Sequence, residues 1–446
     1  MTRTSVRYRC SECGYESAKW LGRCPDCGEW GGFDESTPLG ASATPPGRPV
    51  PVAAVDATAS VRTPTRLPEV DRVLGGGLVP GSVTLVGGEP GMGKSTLVLQ
   101  ALGAMAASGV RCLLVCAEES AAQVRMRADR LQTLAPDLLL VAETSVPAIC
   151  AHVDAVAPAV LAVDSIQTVQ DPDAPGAPGS VGQVRDCAHR LVRLAKDRDV
   201  AIVLVGHVTK DGALAGPRAL EHVVDTVLSF EGDRHHGLRM LRALKHRFGA
   251  TDELGLMEMT GEGLAPLADP SALFLGDRRA DAPGSFVVPI LEGARPLCVE
   301  VQALVGPSQL PVPRRVTQSV DGNRLAMLLA VMARRACVRT SQSDVYVSAA
   351  GGVRVAEPGA DLGVLLAIVS SVRDQPVRAD MVALGEVGLG GEVRQVPQAP
   401  RRLAEAMRLG FRRAIVPRST PEVAGMELLR ADDVIDALAA ARLVGD

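Results

Sequence analysis

Aromatic side chains are scarce in this chain of 446 residues, of which Phe, Tyr and Trp make up 2%. A hydrophobic core must therefore be packed from Ala, Val and Leu, as in doubly wound α/β proteins whose strands are buried on both faces. The chain also lacks an apolar run long enough to span a membrane, and its segment MTRTSVRYRC has no apolar stretch typical of a signal peptide. These absences argue against a membrane protein and against a secreted one.

A large excess of one charge is absent too, since the formal net charge is −4. Any nucleic-acid binding must therefore come from local basic surfaces or from the geometry of an oligomer. Apolar residues make up 47% of a chain long enough for two or three domains. Four of the ten cysteines are clustered and the others are scattered, which favours a reducing compartment over a disulfide framework. We therefore expect a cytoplasmic, multidomain protein without a membrane segment.

Composition shifts divide the chain into four expected regions. Residues 1–32 contain the cysteine cluster, and residues 33–64 are rich in Pro, Ala, Ser and Thr, as linkers are. In residues 65–270 apolar strand-like runs alternate with helical stretches, which predicts a mostly parallel α/β sheet covered on both faces. Residues 271–446 begin with short strands followed by helices, which predicts a separate α+β domain.

The four clustered cysteines are Cys10, Cys13, Cys24 and Cys27, with the spacing C-x2-C-x10-C-x2-C. Two C-x2-C turns can present four thiolates to one tetrahedral Zn²⁺, and the segment between them is too short to form a core of its own. A redox C-x-x-C or a disulfide pair is the alternative. Two pairs at this spacing in a reducing compartment favour a structural, zinc ribbon-like module.

The segment GGEPGMGKST lies between a predicted strand and a predicted helix and contains the pattern G-x4-G-K-S. In this pattern backbone N–H groups surround the phosphates of ATP, a lysine reaches the β- and γ-phosphates, and a serine hydroxyl binds Mg²⁺. Thr96 is expected to cap the first helical turn. A glycine-rich turn without nucleotide is the alternative, and it is rare in this context. The residues assigned to the nucleotide are Gly88, Glu89, Pro90, Gly91, Met92, Gly93, Lys94, Ser95 and Thr96.

Polar residues at the ends of three other strands are further candidates for this site. Asp164 ends an apolar strand where a second carboxylate that organises Mg²⁺ is expected. Glu118 follows another strand and is the candidate general base for the attacking water, whereas Glu119 fits a helix cap. His207 could sense the γ-phosphate or could be an ordinary polar residue at a strand end.

Several segments together resemble the bacterial RadA/Sms family of DNA-repair proteins, which has a RecA/KaiC-like P-loop ATPase core. These segments are LPEVDRVLGGGLVPGSVTLVGGEPGMGKST, CAEES, AVDSIQTV, PGSVGQVRD, VGHVTKDGALAGPRALEHVVDTVLSFEGD and LKHRFGATDELGLMEM. The four-cysteine module and a C-terminal domain similar to that of Lon protease also match the family's architecture. The resemblance thus covers nearly the whole chain apart from the linker.

The resemblance implies a DNA-dependent ATPase and helicase, a motor of the 5′–3′ type, that forms hexameric rings around single-stranded DNA. Such a ring would drive branch migration of branched recombination intermediates alongside the RecA recombinase, in the cytoplasm and associated with the nucleoid. The implied cofactors are ATP, Mg²⁺ and Zn²⁺. Lys94, Asp164 and Glu118 are implied catalytic residues by position.

Two loops, Gln170–Gly182 and Thr209–Glu221, would face DNA in such a protein. Lys210 and Arg218 in the second loop could bind phosphates, and neither loop offers an aromatic residue for base stacking. An ordinary surface loop is the alternative for both.

The family's motif Lys-Asn-Arg-Phe-Gly reads Lys245-His246-Arg247-Phe248-Gly249 here. Ring ATPases commonly complete each site with a cation from the neighbouring subunit, so Arg247 or Lys245 is expected to reach a neighbour's γ-phosphate. Direct contact with DNA is the alternative. The sequence leaves open whether the imidazole of His246 replaces the hydrogen bonds of the Asn or the position is permissive.

The similarity to Lon raises the hypothesis of a peptidase, which requires a Ser nucleophile and a Lys base. Gly359, Ala360 and Asp361 occupy the stretch where the Ser is expected, and Pro400 or Arg401 the place of the Lys. Arginine stays protonated and cannot act as the base, so the domain is expected to be a proteolytically inactive scaffold for the ring and for DNA. Its paired arginines could contact phosphates or lie on solvated helix faces: Arg314–Arg315, Arg334–Arg335 and Arg401–Arg402.

A different class of function is a nucleotide-switched signalling assembly of the KaiC type, in which ATP controls partner binding and DNA has no part. The zinc module and the Lys-x-Arg-Phe-Gly motif favour the DNA motor. The missing Ser and Lys argue against an ATP-dependent protease.

Overall fold

The computed structural model describes residues 7–36 apart from 11, 18 and 29, together with 51–52, 61–207, 218–232, 237–267 and 269–443. The chain divides into two compact units, Met1–Pro266 and Leu267–Asp446. Within the described ranges, no helix combines the length and the apolar character that crossing a membrane requires.

The first unit begins with a small antiparallel sheet of strands β1 (Arg7–Cys10), β2 (Glu16–Ser17) and β3 (Phe33–Ser36), in the order β2-β1-β3. Cys10, Cys24 and Phe33 are its buried apolar side chains. Strand β3 lies in the segment that composition assigns to the linker, so the cysteine module extends beyond residue 32. A core this small cannot fold a module by itself, which agrees with a structural metal.

A nine-stranded sheet forms the centre of the first unit, in the order β12-β11-β10-β9-β4-β8-β7-β5-β6. Its strands are β4 (Val83–Gly88), β5 (Cys112–Cys116), β6 (Leu138–Ala142), β7 (Val160–Asp164), β8 (Ala201–His207), β9 (Thr226–Gly232), β10 (Leu238–His246), β11 (Leu254–Thr260) and β12 (Gly263–Pro266). Strands β4 to β9 are parallel, whereas β10, β11 and β12 extend the sheet antiparallel.

Helices cover both faces of this sheet. Alternate residues of each buried strand point to opposite faces, and because both sets are apolar, each face packs against helices. Val86 and Leu114 pack in one apolar cluster, whereas Leu85 and Leu113 pack in another on the opposite face. The helices are α1 (Pro68–Val73), α2 (Lys94–Ala107), α3 (Ala121–Arg130), α4 (Val146–Val156), α5 (Val181–Arg198) and α6 (Arg218–Val223). The predicted doubly covered α/β sheet is confirmed.

The second unit contains a seven-stranded mixed sheet in the order β15-β16-β14-β13-β17-β20-β21, together with the two-stranded ribbon β18-β19. The strands are β13 (Ser285–Glu292), β14 (Arg295–Pro307), β15 (Arg315–Gln318), β16 (Ser343–Ala349), β17 (Met381–Ala383), β18 (Glu386–Val387), β19 (Val393–Arg394), β20 (Arg413–Pro417) and β21 (Glu427–Ala431). The helices are α7 (Pro270–Leu275), α8 (Gly322–Arg335), α9 (Asp361–Val372), α10 (Ala399–Arg408) and α11 (Val434–Ala440). Helix α9 is buried around its whole circumference over residues 361–370, which makes it the centre of this α+β unit.

Candidate functional site

The loop between β4 and α2 has the backbone of a phosphate-binding loop. Gly93 adopts a φ of 102°, and a Cβ there would lie 2.4 Å from the Cε of Met259. A Cβ on Gly88 would lie 2.2 Å from the carbonyl oxygen of Phe230. Only glycine fits at these two positions, so the loop can curl around a ligand and direct backbone N–H groups at it.

Four side chains from three chain segments meet beside this loop. Lys94 is buried, and its Nζ donates to the carbonyl oxygens of Gly88 at 2.8 Å and Glu89 at 3.0 Å. The Ser95 hydroxyl is hydrogen bonded to the carboxylate of Asp164. Glu118 accepts a hydrogen bond from the hydroxyl of Ser165. The pairing of Cys116 with Asp164 across β5 and β7 brings the two acids together at one edge of the sheet.

The electrostatics of the site follow from burial and from these acids. Burial lowers the pKa of Lys94, while the charges of Asp164 and Glu118 act in the opposite direction. Burial raises the pKa of Asp164, and the hydrogen bond from Ser95 offsets part of that rise. A buried carboxylate that is costly to ionise gains from a nearby cation, so the site favours a metal ion beside Asp164.

These residues fit Mg²⁺-ATP. The glycine-lined loop would hold the phosphates, Lys94 would reach the β- and γ-phosphates, and Ser95 with Asp164 would hold Mg²⁺. The expected capping of α2 by Thr96 is not observed: the helix starts after Gly93, and no side chain caps it. A side-chain cap would compete with an anion for the N–H groups at this helix N-terminus.

Glu119 is not a helix cap, contrary to one expectation. Ser120 caps α3 in a capping box with Gln123, and Glu119 forms an ion pair with Arg127 instead. Arg127 shares with Asp164 and Glu118 the lining of a narrow pocket beside Ser95. Glu119 therefore positions the guanidinium of Arg127 at the site and does not cap α3.

The candidate sensor His207 ends β8, where its backbone pairs with Gly88 at the start of the phosphate loop. Its side chain lies outside the described part of the structure. Lys210 and the side chain of Arg218 are outside it as well.

The Lys-His-Arg segment is held within its own chain by several polar contacts. Lys245 Nζ donates to the carbonyl oxygens of Glu221 and Val224, both at 2.7 Å, at the C-terminal end of α6. Arg247 Nη1 lies 3.0 Å from Asp225 Oδ1, and its side chain is 51% exposed. Lys245 thus stabilises a helix end, whereas Arg247 presents a half-exposed guanidinium at the surface.

This segment lies at the opposite edge of the sheet from the phosphate loop of the same chain. His246 pairs with Thr226, and Thr226 pairs with Thr84, four residues before Gly88. At about 3.3 Å per strand residue, the segment lies about 13 Å from the start of the loop along the strand direction, and two strands away across the sheet. Lys245 and Arg247 are therefore not brought together with Lys94 in one chain.

His246 makes two hydrogen bonds that assign its tautomer. Nε2 lies 3.2 Å from the carbonyl oxygen of Leu74, which can only accept, so Nε2 carries the hydrogen. Nδ1 then accepts from the Thr226 hydroxyl at 2.9 Å. Burial lowers the pKa of His246, so the neutral form is favoured. Both ring nitrogens of His246 are therefore hydrogen bonded.

The loop Gln170–Gly182 is shaped by α5. The buried amide of Gln183 accepts from Asp171 N at 2.8 Å and donates to the carbonyl oxygens of Ala174 and Gly176, both at 3.2 Å. Arg190 pairs with Asp171 at 2.5 Å. The loop contains no Lys or Arg, so contacts to phosphate would have to come from its backbone N–H groups.

The four thiols of Cys10, Cys13, Cys24 and Cys27 lie within 4.8 Å of one another. Four sulfur ligands at this separation fit one tetrahedral Zn²⁺. The module contacts α5, where Arg9 makes two hydrogen bonds of 2.6 and 2.7 Å to the carboxylate of Asp186. A bidentate pair of this kind fixes orientation as well as position.

Comparison with known proteins agrees with this arrangement of parts. Family models match a rubredoxin metal-binding domain over residues 8–35, an AAA domain over 49–213 and the C-terminal proteolytic domain of Lon protease over 326–426. DNA repair protein RadA of Pseudomonas aeruginosa is 48% identical over 98% of this chain and 100% of its own length. RadA of Bacillus subtilis is 43% identical over 98% of this chain and 99% of its own length. RadA of Mycobacterium tuberculosis is 46% identical over 98% of this chain and 93% of its own length.

The chain belongs to the RadA family of DNA repair proteins. The family assignment made from the sequence is thereby confirmed, as are an AAA-type ATPase domain and a four-cysteine zinc ribbon. The ATPase domain of this RadA family member contains the phosphate loop, Asp164 and Glu118 described above.

The Lon-like unit of this RadA family member has an ion pair near the position of the expected nucleophile. Arg402 is 2% exposed and forms a bidentate pair with Glu357. It also donates to the carbonyl oxygens of Pro397 and Pro289, at 3.0 and 3.2 Å. A Cβ on Gly359 would lie 3.5 Å from Arg402 Nη1. Arg402, the residue after Arg401, therefore lies beside the Gly-Ala-Asp stretch.

Two of the expected phosphate-binding arginine pairs are partly used for structure. Arg402 is buried and paired, so it is not on a solvated face. Arg315 donates to the backbone carbonyl oxygens of Thr340, Ser343 and Arg314.

Asp361, two residues after Gly359, is buried and pairs with Arg324.

Sequence reasoning missed several residues that hold the site together. Ser165 orients Glu118, Gln183 shapes the loop before α5, and Asp225 joins Arg247 to the amide of Val83. The most informative is Arg239, which donates to the phosphate loop at the carbonyl oxygen of Met92. A charged residue inside an apolar strand of a central sheet was the signal that could have found it.

Proposed function

We propose that this ATPase is a DNA-dependent motor and helicase that works in DNA break repair. It acts as a homohexameric ring that translocates 5′–3′ on single-stranded DNA. In this form it promotes branch migration of recombination intermediates alongside the RecA recombinase. The proposal includes Mg²⁺-ATP as the fuel and an inactive Lon-like scaffold. It also includes action on the nucleoid in the cytoplasm. Support comes from relatives that carry the name DNA repair protein RadA over nearly their full length.

The observation that carries the proposal is the separation of Lys245 and Arg247 from the phosphate loop of their own chain. A cation that completes an ATPase site from the far edge of the sheet can serve only another subunit's nucleotide. Arg247 is the better candidate for this contact, since its guanidinium is half exposed beside Asp225. Lys245 then acts as a positioning residue that holds the end of α6.

The chemistry at each proposed site is hydrolysis of the γ-phosphate bond. The carboxylate of Glu118, oriented by Ser165, takes the proton of the attacking water. Lys94 and the neighbour's Arg247 neutralise the charge that develops on the phosphate oxygens. Ser95 and Asp164 hold Mg²⁺, which supplies electrostatic stabilisation when bound. His207 is proposed as the sensor of the γ-phosphate beside Gly88.

The proposed DNA contacts lie on the loops that precede α5 and α6. The first, fixed by Gln183, would use backbone N–H groups, whereas the second carries Lys210 and Arg218. Since neither loop contains an aromatic residue, binding should depend on phosphates and fall steeply with salt.

The experiment that tests the proposal compares ATP hydrolysis with and without single-stranded DNA, with Lys94→Ala as the blank. We expect DNA to raise the rate several-fold in the wild-type protein and a gel shift that weakens with salt. An unchanged rate together with no gel shift at low salt would contradict the DNA motor. That outcome would favour the KaiC-type signalling assembly, in which nucleotide alone sets the state of the ring.

A second measurement tests the geometry of the assembly. Electron microscopy with single-stranded DNA and a non-hydrolysable ATP analogue should show six-membered rings with density in the channel. Unwinding of tailed duplexes with a 5′ or a 3′ overhang then reports the direction of movement. A motor that moves 5′–3′ should unwind the duplex with the 5′ overhang. Unwinding of the duplex with the 3′ overhang instead would overturn the 5′–3′ assignment.

A further inference from the structure

Arg239 is a buried charge that the proposed reaction does not yet use. It lies near the start of β10, is 6% exposed, and pairs across the strands with Gly232 of β9 and Met257 of β11. Its Nε donates to the carbonyl oxygen of Met92 at 2.9 Å, and its Nη1 donates to the carbonyl oxygen of Leu238 at 2.9 Å. The guanidinium is therefore fixed against the wall of the phosphate loop.

The contact at Met92 acts on one peptide unit of that loop. The carbonyl of Met92 and the N–H of Gly93 belong to the same planar trans peptide, so they point in opposite directions. A donor that holds the carbonyl on one side therefore holds the N–H toward the other. Gly93 N–H lies in the part of the loop that surrounds the phosphates.

This peptide unit needs an external anchor because glycine surrounds it. Gly91 has a φ of 79° and Gly93 a φ of 102°, conformations that glycine enters and leaves at little cost. Rotation of the peptide plane would turn the Gly93 N–H away from the phosphates. The packing also leaves room for the anchor: a Cβ on Gly232 would lie 2.8 Å from Arg239 Cδ and 3.1 Å from Met92 Cε.

We propose that Arg239 is a positioning residue for ATP, which holds the Met92–Gly93 peptide so that the loop is ready to bind the β-phosphate and which places a fixed positive charge behind that loop. Arg239 touches the loop, not the reacting atoms. The inference rests on the ATPase site alone and is independent of the DNA and ring proposals.

The test measures the dissociation constants of ATP and ADP by calorimetry with Mg²⁺ for wild type, Arg239→Lys and Arg239→Gln. Lysine keeps the charge but offers a single donor group, and glutamine removes the charge. We expect Arg239→Gln to weaken both nucleotides about 10-fold to 100-fold, with Arg239→Lys between Gln and wild type. In hydrolysis assays KM should rise in the same order, with a smaller change in kcat.

The matched control is Arg242→Gln, on the same strand but three residues along and thus on its opposite face. It should bind ATP within about twofold of wild type, since it removes an arginine from β10 without touching the loop. Thermal melting of each ligand-free variant separates a folding defect from a binding defect. Binding of ATP by Arg239→Gln within twofold of wild type would overturn the proposal. An equal loss of affinity in Arg242→Gln would overturn it as well, because the effect would then belong to the strand.

Discussion

The carbonyl oxygen of Leu74 accepts a hydrogen bond from His246 Nε2 at 3.2 Å. This bond connects the Lys-His-Arg segment to the turn after α1. Arg62 donates to the same oxygen at 2.6 Å. His246 is therefore part of a hydrogen-bond network with Leu74, Arg62 and Thr226.

Replacing His246 should separate its hydrogen bonds from its charge. His246→Ala leaves the buried Thr226 hydroxyl without this partner and should cost about 1–3 kcal/mol of unfolding free energy. His246→Asn should cost less, because an amide can both accept and donate. Chemical denaturation at pH 7.5 measures both, and equal losses in the two variants would contradict the network.

The same histidine should make stability depend on pH. Burial lowers its pKa in the folded protein, so the unfolded chain binds the proton more readily and stability rises with pH in this window. Wild type should therefore lose stability as the pH falls below about 6.5, the ordinary histidine pKa, and His246→Asn should lose less. Melting curves from pH 5 to 8 measure the difference. Parallel curves for the two proteins would count against a neutral His246.

Mixing two inactive variants should restore hydrolysis if Arg247 acts on a neighbour. Lys94→Ala lacks its own phosphate lysine but supplies Arg247, whereas Arg247→Ala keeps its own loop intact. A mixed ring places some intact loops beside intact arginines, so activity should reappear at intermediate ratios and vanish at either extreme. Arg247→Ala alone should bind ATP as wild type does. Absence of recovery at every ratio, with mixed assemblies demonstrated, would refute action between subunits.

The contact of the zinc module with α5 is testable by exchanging charges. Arg9→Asp and Asp186→Arg each place like charges together and should release the module, seen as faster proteolysis after residue 36. The double variant should regain protection, with a coupling of about 1–2 kcal/mol for a partly buried bidentate pair. Zinc content should stay at one ion per chain in all three, which separates undocking from loss of the metal. A double variant as sensitive as the singles would argue against the pair.

Truncation at the ion pair of the Lon-like unit should destabilise that unit strongly. Arg402→Ala leaves Glu357 without its ion-pair partner and should cost about 3–5 kcal/mol. Glu357→Ala strands the buried arginine and should cost a similar amount, while the double variant should cost less than the sum. Denaturant titration gives the three values. Additive losses would show that the two residues act independently.

Sequence patterns predicted the elements that are apolar and local, and they failed where distant residues decide the structure. The five residues of strand β5 (Cys112–Cys116) are uniformly apolar, so the sequence by itself indicates a buried strand there. The bounds of strand β10 are harder to read from the sequence, because Arg239 and Lys245 near its ends resemble loop residues until their partners are known. Its neighbour β11 depends on pairing with β10, which is a tertiary contact that the sequence does not show.

The nucleotide site was predictable for a similar reason. Its residues form short patterns whose chemistry depends on spacing, so Lys94, Ser95 and Asp164 could be named in advance and are found together. Arg239 could not be assigned, because 147 positions separate it from Met92. The burial of Arg402 could not be assigned from the sequence, because only the helical phase of α10 shows which of its successive residues turns inward.

The placement of the phosphate loop and of Arg247 at opposite edges of one sheet has a consequence for counting active sites. If Arg247 completes a neighbour's site as proposed, each chain contributes half of two different sites, and complete sites belong to junctions between subunits. A closed ring of n chains would hold n complete sites, whereas an open arc of the same chains would hold n − 1, and a lone chain none. Hydrolysis per chain would then rise with protein concentration and report directly on whether the ring is closed.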